Sequence, residues 1–247
     1  MENIGVQINL YKTGIIFAIL GVICYVWRSV GYRCFRRFYA WNINRETYMN
    51  ELLSEEKLYV FQFLHEYQEK AKTTLTVLEV GSGPAVNLTF YPQNTKLICL
   101  DPNSHFAGYI EENMKKCNNA VEIDFVQGFA EDIPFECELF DAAVCSFVLC
   151  TVNDIGRSLK EIKRVLKPGG KLVFLEHVTA KDKYSWTYIL QLAYIPLAWL
   201  IYGCRSIVRD TEKSVRDSGF SDVQMHCVRP KCAPLWLNTC VMGIATK

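Results

Sequence analysis

Leu75-Thr76-Val77-Leu78-Glu79-Val80-Gly81-Ser82-Gly83-Pro84-Ala85 joins an apolar run to a turn of glycine and proline. A short apolar run bounded by such a turn reads as a buried strand. Two glycines one residue apart let the backbone turn tightly and come close to a ligand. Working outward, Leu97–Asp101 is a second run of this kind, followed by Val121–Val126, Phe140–Val148 and Lys171–His177. Helical patterns lie at Ser104–Cys117 and at Asp154–Leu166, whose end is marked by Pro168-Gly169-Gly170. Upstream, Asn42–Lys72 is polar with Leu52, Leu53, Phe61, Leu64 and Tyr67 near helical spacing. Strands near Val223–Val228 and Val241–Ala245 close the fold. Near-continuous apolar strands alternating with helices predict an α/β chain: a seven-stranded, mostly parallel sheet with helices on both faces.

The glycine turn is paired with an acid. Asp101 ends the second strand twenty residues after Gly81, where a carboxylate can accept from both hydroxyls of a ribose. Two cofactor classes share this plan. A dinucleotide wants G-x-G-x-x-G, so that a helix N-terminus cradles the pyrophosphate, but Val86 stands at the third glycine. Pro84 also removes an amide donor. An adenosine ligand without phosphates would miss neither. A plain strand-to-helix turn is the alternative for the glycines alone.

Composition narrows the rest. The 247 residues are 50% hydrophobic and 21% charged, enough for one sizeable core and against a disordered chain. Twenty-seven basic against twenty-six acidic side chains leave no electrostatic case for nucleic acid. Eleven scattered cysteines without a C-x-x-C pair fit a reduced compartment and offer no zinc site, so no metal is expected.

E-x-G-x-G followed by a strand-end acid resembles the class I S-adenosylmethionine-dependent methyltransferases. Further segments resemble that family in order: Gly128-Phe129-Ala130-Glu131-Asp132-Ile133-Pro134-Phe135, then Phe140-Asp141, then Leu159-Lys160-Glu161-Ile162-Lys163-Arg164-Val165-Leu166-Lys167-Pro168-Gly169-Gly170. Asn87–Pro92, Cys99–Asn103, Ser146–Cys150 and Leu175–Val178 resemble more narrowly the methyltransferase-like protein 7 family, membrane-bound thiol S-methyltransferases of the endoplasmic reticulum and lipid droplets. The resemblance implies a Rossmann-like methyltransferase fold and S-adenosyl-L-methionine as cofactor. It places Gly81, Ser82 and Gly83 against the ligand, with Glu79 orienting the loop and the ligand's amino group. Asp101 would hold the ribose, Pro102 and Asn103 would flank the adenine, and Ala130 and Glu131 would meet its edge. Ser146 and Phe147 would line the junction of cofactor and acceptor.

Ala85 departs from the family's third glycine, and its methyl would crowd the methionine end of the cofactor. His177, just past the fifth strand, is the candidate catalytic base toward a thiol or hydroxyl acceptor; a strand-end histidine bonded only to structure is the alternative. Cys145 and Cys150 flank the acceptor side, where small buried cysteine is the commoner reading.

The N-terminus reads as an attachment segment. Thr13–Trp27 holds fifteen residues without a charge, with Arg28, Arg33, Arg36 and Arg37 after it. A spanning helix needs roughly 20 apolar residues. A cleaved signal is the competitor, but no small-residue cleavage site follows. Residues 1–41 are therefore expected to form an anchor helix with a basic-aromatic interface segment, and residues 42–247 the enzyme domain facing the cytosol. Within that domain 183–204 is nearly uncharged and is expected to be an apolar cover over the acceptor pocket. The expected function is methyl transfer at a membrane to small lipophilic acceptors, thiols first. The alternatives are O- or C-methylation of a lipid or quinone, and a non-catalytic membrane scaffold with a relic pocket.

Overall fold

The computed structural model describes residues 30–45, 53–117, 121–202, 207–230 and 233–247. The expected anchor run Thr13–Trp27 lies outside the described residues. Among the described residues no helix is long and apolar enough to cross a membrane.

Seven strands form one sheet: β1 (Leu75–Val80), β2 (Thr95–Asp101), β3 (Val121–Gln127), β4 (Phe140–Ser146), β5 (Leu166–His177), β6 (Asp222–Val228) and β7 (Cys240–Thr246). Their order is β3-β2-β1-β4-β5-β7-β6. The first five run parallel, and β7 lies antiparallel to both β5 and β6. The order reverses between β1 and β4, and in such sheets the crevice beyond the strands' C-terminal ends at the reversal is the ligand site.

Helices cover both faces. On one face α4 (Ile155–Val165) and α6 (Thr211–Arg216) bury Leu159, Ile162, Val165 and Val215 against Leu78, Val80, Phe140 and Phe174. Asp154 starts α4 by accepting from the Arg157 amide at 3.0 Å. On the other face α1 (Tyr32–Arg45), α2 (Ser54–Ala71) and α3 (Ala107–Lys116) bury Ala40, Val60, Phe61, Leu64 and Ile110 against Leu75, Val77, Leu97 and Val144. The last long helix, α5 (Trp186–Tyr202), follows β5.

Local geometry moves three expected boundaries. The fifth strand begins at Leu166 rather than Lys171, because Lys167–Gly170 form an irregularity within the pairing to β4. A Cβ at Gly170 would lie 2.8 Å from the Lys167 carbonyl, so that position accepts only glycine without a shift. The fourth strand stops at Ser146, since Phe147 takes a left-handed conformation with φ of 58°. The helix expected from Ser104 opens with a 3₁₀ turn at Ser104–Phe106, which the Asn103 side chain caps through the His105 amide at 3.3 Å.

Helix α1 runs straight through the expected boundary between residues 41 and 42. Tyr39 packs edge-on against Phe106, with ring centroids 6.0 Å apart, and Asn103 Nδ2 donates to the Arg36 carbonyl at 3.0 Å. The basic-aromatic segment from Tyr32 onward is thus one wall of the α/β unit.

Candidate cofactor and acceptor site

A cavity of about 520 Å³ lies along the C-terminal ends of β1, β2, β4 and β5, roofed by α1 and α5. All twelve expected site residues line it: Glu79, Gly81, Ser82, Gly83, Asp101, Pro102, Asn103, Ala130, Glu131, Ser146, Phe147 and His177. Their convergence follows from the register, which sets Val80 opposite Leu100 on one side and Cys145 on the other.

The glycine turn is fastened to the second strand. The amides of Gly81 and Ser82 donate to the Leu100 carbonyl at 2.7 and 3.2 Å. Gly81 has φ of 63°, and a Cβ there would sit 2.6 Å from a Val148 methyl carbon. Asp101 completes the turn: Oδ2 accepts from the Gly83 amide at 3.1 Å and Oδ1 from the Asn103 amide at 2.7 Å. Burial pushes this carboxyl up to about 6, against the pull of those two amides and of Arg36. A carboxylate has about four lone-pair directions, so Asp101 keeps acceptor capacity for hydroxyl donors.

Glu79 lies deeper. Its Oε1 accepts from Asn87 Nδ2 at 2.7 Å, and Oε2 is buried with no hydrogen-bond partner among the described residues. Burial raises its pKa to about 7, opposed by Asn87, Tyr91 and the Lys57 ammonium. A buried acceptor without a partner is costly, and it is relieved by a cationic donor entering the cavity. The α-ammonium of S-adenosylmethionine is such a donor, and Asp101 is the matching acceptor for its ribose. On these observations the residues present fit the cofactor.

The adenine side is built differently from the bare contact expected. Glu131 Oε1 accepts from the amides of Asn153 and Asp154 at 2.6 and 3.3 Å. Its carboxylate therefore ties the loop after β4 across the cavity, while Ala130 is buried in the wall. The Pro102 carbonyl accepts from Gln127 Nε2 at 3.1 Å and from the Arg36 guanidinium, which also lies over the Tyr32 ring.

On the acceptor side Phe147 packs on His177, with ring centroids 4.4 Å apart. His177 Nδ1 is 3.4 Å from Cys240 Sγ. Burial lowers the imidazole pKa to about 4, against a hydrogen bond with the Leu237 backbone. The ring is thus neutral at physiological pH. Cys145 is fully buried in β4, and burial pushes its thiol well up. Among the described residues no group of three or more His, Cys, Asp or Glu side chains is placed to hold a metal ion. Beyond Phe147 the cavity becomes apolar, walled by Cys150, Tyr194, Ala198, Ile207 and Leu237. Helix α5 is held there by Gln191, which accepts from the Ala180 amide at 2.9 Å and donates to the Val178 carbonyl at 3.0 Å.

Ala85 does not line this cavity. Its methyl is buried in the α1–α3 core, at φ of 55°. The departure from glycine is therefore a backbone matter, costing roughly 1–2 kcal/mol for the left-handed conformation. Ala85→Gly is expected to leave S-adenosylhomocysteine affinity within about twofold by calorimetry; a tenfold gain would put the methyl back in the ligand's path.

Two groups of site residues escape a linear reading. Glu176 is buried with Oε1 accepting from the Val148 and Leu149 amides at 2.8 and 2.9 Å, which sets the loop that follows β4. Arg209 Nη1 supports the same loop through the Leu149 carbonyl at 2.8 Å. Tyr32, Phe35, Arg36, Tyr39 and Ile43 of α1 wall the adenine side. Their spacing is a helical stripe, the available signal, though a lipid interface uses the same one.

A seven-stranded sheet with one reversed strand, carrying an adenosine-sized cleft at its switch point, defines the class I S-adenosylmethionine-dependent methyltransferases. A family model described as a methyltransferase domain matches residues 78–174. A SAM-dependent methyltransferase from Thermotoga maritima shares the fold at 20% identity, with a TM-score of 0.53 over 83% of this chain and 98% of that one. Among curated proteins the chain is 34% identical over 180 residues to human thiol S-methyltransferase TMT1B, spanning 72% of each. It is 29% identical over 199 residues to human thiol S-methyltransferase TMT1A, spanning 80% of this chain and 81% of that one. The chain belongs to the TMT1 family of methyltransferases.

Proposed function

We propose that this methyltransferase acts on small lipophilic thiols at a membrane surface. The observation that carries the reading is the continuity of the cavity, from the Glu79–Asp101 cradle past Phe147 into the apolar chamber under α5. Similarity to proteins named as thiol S-methyltransferases supports the choice of thiol.

In this reading Asp101 accepts from the ribose hydroxyls and Glu79 from the α-ammonium. Gly81, Ser82 and Gly83 give close backbone approach. Pro102 and Asn103 flank the adenine, Ala130 forms its edge wall, and Glu131 acts through the loop it holds. Ser146 and Phe147 border the acceptor. S-Adenosylmethionine, when bound, supplies a methyl group already activated on a sulfonium. The protein's part is alignment and exclusion of water, performed by the apolar chamber. A free thiol ionises near about 8.5, so solution supplies thiolate at neutral pH without a strong base.

His177, at about 4, is too weak a base to hold a thiol's proton. Its role is to position Phe147 through their ring contact. Over pH 6–9 its charge does not change, so kcat/KM rises with pH along the acceptor thiol's own ionisation. His177→Gln is expected to lower the plateau several-fold and leave that rising limb in place. A limb that moves or vanishes in the variant would make His177 the base.

The membrane setting combines two segments. The segment that precedes α1 provides the anchor, and the outer side of α5 a second lipid contact through exposed Trp186, Ile189, Leu192 and Leu197, next to Tyr184. The endoplasmic reticulum or a lipid droplet, with the enzyme facing the cytosol, is the corresponding site. A chain lacking residues 1–29 is expected to float weakly with liposomes; complete loss of flotation would remove the second contact. The acceptor is tested by labelled-methyl transfer to a panel of small thiols, phenols and quinones. Labelling of thiols is expected, and labelling confined to phenols or quinones would overturn the thiol reading.

A further inference from the structure

We propose that Ala198 sets how bulky an acceptor the chamber admits, so that one small residue of α5 decides which thiols are methylated. The inference rests on the thiol reading and deepens it.

Helix α5 turns Gln191, Tyr194, Ile195 and Ala198 inward, at i, i+3, i+4 and i+7. Gln191 is engaged in the clamp to Ala180 and Val178, and the Tyr194 ring packs against Trp236 with centroids 5.5 Å apart. Of the four, Tyr194 and Ala198 border the cavity. Ala198 is 1% exposed and packs in one small apolar cluster with Cys150 and Ile207, both of which also border the cavity. Three walls of the chamber thus meet at this point.

The wall facing the helix is held in place. The loop that carries Cys150 is fixed by Glu176, which accepts from the Val148 and Leu149 amides, and by Arg209, which donates to the Leu149 carbonyl. The width of the chamber between loop and helix is then set by the side chain at 198. A helix docked for burial alone would carry leucine or isoleucine at such an inward position, because protein interiors are filled to close packing. A methyl group leaves several carbons' worth of room, and here that room is part of the cavity.

The test is labelled-methyl transfer to three primary alkyl thiols of increasing breadth: hexane-1-thiol, cyclohexylmethanethiol and adamantan-1-ylmethanethiol. The kcat/KM values are compared between the full chain and Ala198→Val, Ala198→Leu and Ile207→Ala. S-Adenosylhomocysteine affinity, read by calorimetry, checks that the cleft is intact. Each ligand carbon that loses its buried place costs about fourfold. On that scale the adamantyl-to-hexyl ratio of kcat/KM is expected to fall about fourfold in Ala198→Val and about tenfold or more in Ala198→Leu. It should rise about threefold or more in Ile207→Ala, which takes carbon from an adjoining wall. A general loss of packing would lower transfer to all three thiols and leave the ratio where it was. If Ala198→Leu no longer binds S-adenosylhomocysteine, Ala198→Val and Ile207→Ala carry the comparison. An unchanged ratio in the variants that bind it, or a ratio that falls in Ile207→Ala as well, overturns the proposal and leaves the methyltransferase assignment standing. A full chain that labels none of the three thiols overturns the thiol reading, and this proposal with it.

Discussion

Asp101→Ala is expected to weaken S-adenosylhomocysteine binding by about 100- to 1000-fold. Hydrogen bonds to a charged group contribute roughly 1.5–3 kcal/mol each, and each 1.4 kcal/mol is about tenfold in affinity. In the proposed reading the substitution removes the acceptor for two ribose hydroxyls. It also releases the Gly83 and Asn103 amides, which Asp101 holds at 3.1 and 2.7 Å. The glycine turn then loses its tie to the end of β2. Asp101→Asn keeps one acceptor oxygen and is expected to lose about tenfold. Calorimetry on the folded variants reads both. Retention of nucleoside affinity in the alanine variant would remove the cleft from the cofactor.

Shortening the chain to begin at residue 42 is expected to weaken the same ligand at least about 30-fold, while a chain beginning at residue 30 stays within about threefold. The first cut takes away Tyr32, Phe35, Arg36 and Tyr39, which wall the adenine side, and Ala40, which is fully buried in the core. Phe35 and Tyr39 are half-buried and Tyr32 is exposed at the rim; aromatic rings contribute a large apolar contact area, so their loss opens the cleft to water. The Asn103 side chain also loses the Arg36 carbonyl that it donates to at 3.0 Å. Because the shorter chain is also destabilised, Tyr39→Ala in the full chain is the companion measurement, with a loss of several-fold. Equal affinity for the two truncated chains would make α1 a bystander.

The boundary at 41/42 shows what linear reading reaches. The sheet was legible because buried parallel strands are apolar throughout and are punctuated by glycine, proline and terminal acids. Asp101 and the glycine turn were legible because their spacing is fixed by two adjacent parallel strands joined through a short connection whose one helical turn is the 3₁₀ turn Leu88–Phe90. Helix α1 was not, because alternating aromatics and arginines describe equally a lipid interface and a roof over a flat ligand. Glu131 was placed in the cavity, but its partners at Asn153 and Asp154 come from a loop beyond the next strand, which spacing does not encode. The concern over Ala85 rested on the direction of one methyl group, and that direction is decided by a positive φ.

Gln191 and Pro196 divide α5 into unequal partners. The amide of Gln191 clamps the first half of the helix to the chain just beyond β5 at two points, so that half travels with the sheet. Pro196 cannot donate to the carbonyl four residues earlier, which weakens the helix at that step. Tyr194 sits before the weak step and Ala198 after it. The weakest step of α5 thus falls between the chamber walls at Tyr194 and Ala198, with the near half serving as the fixed jamb.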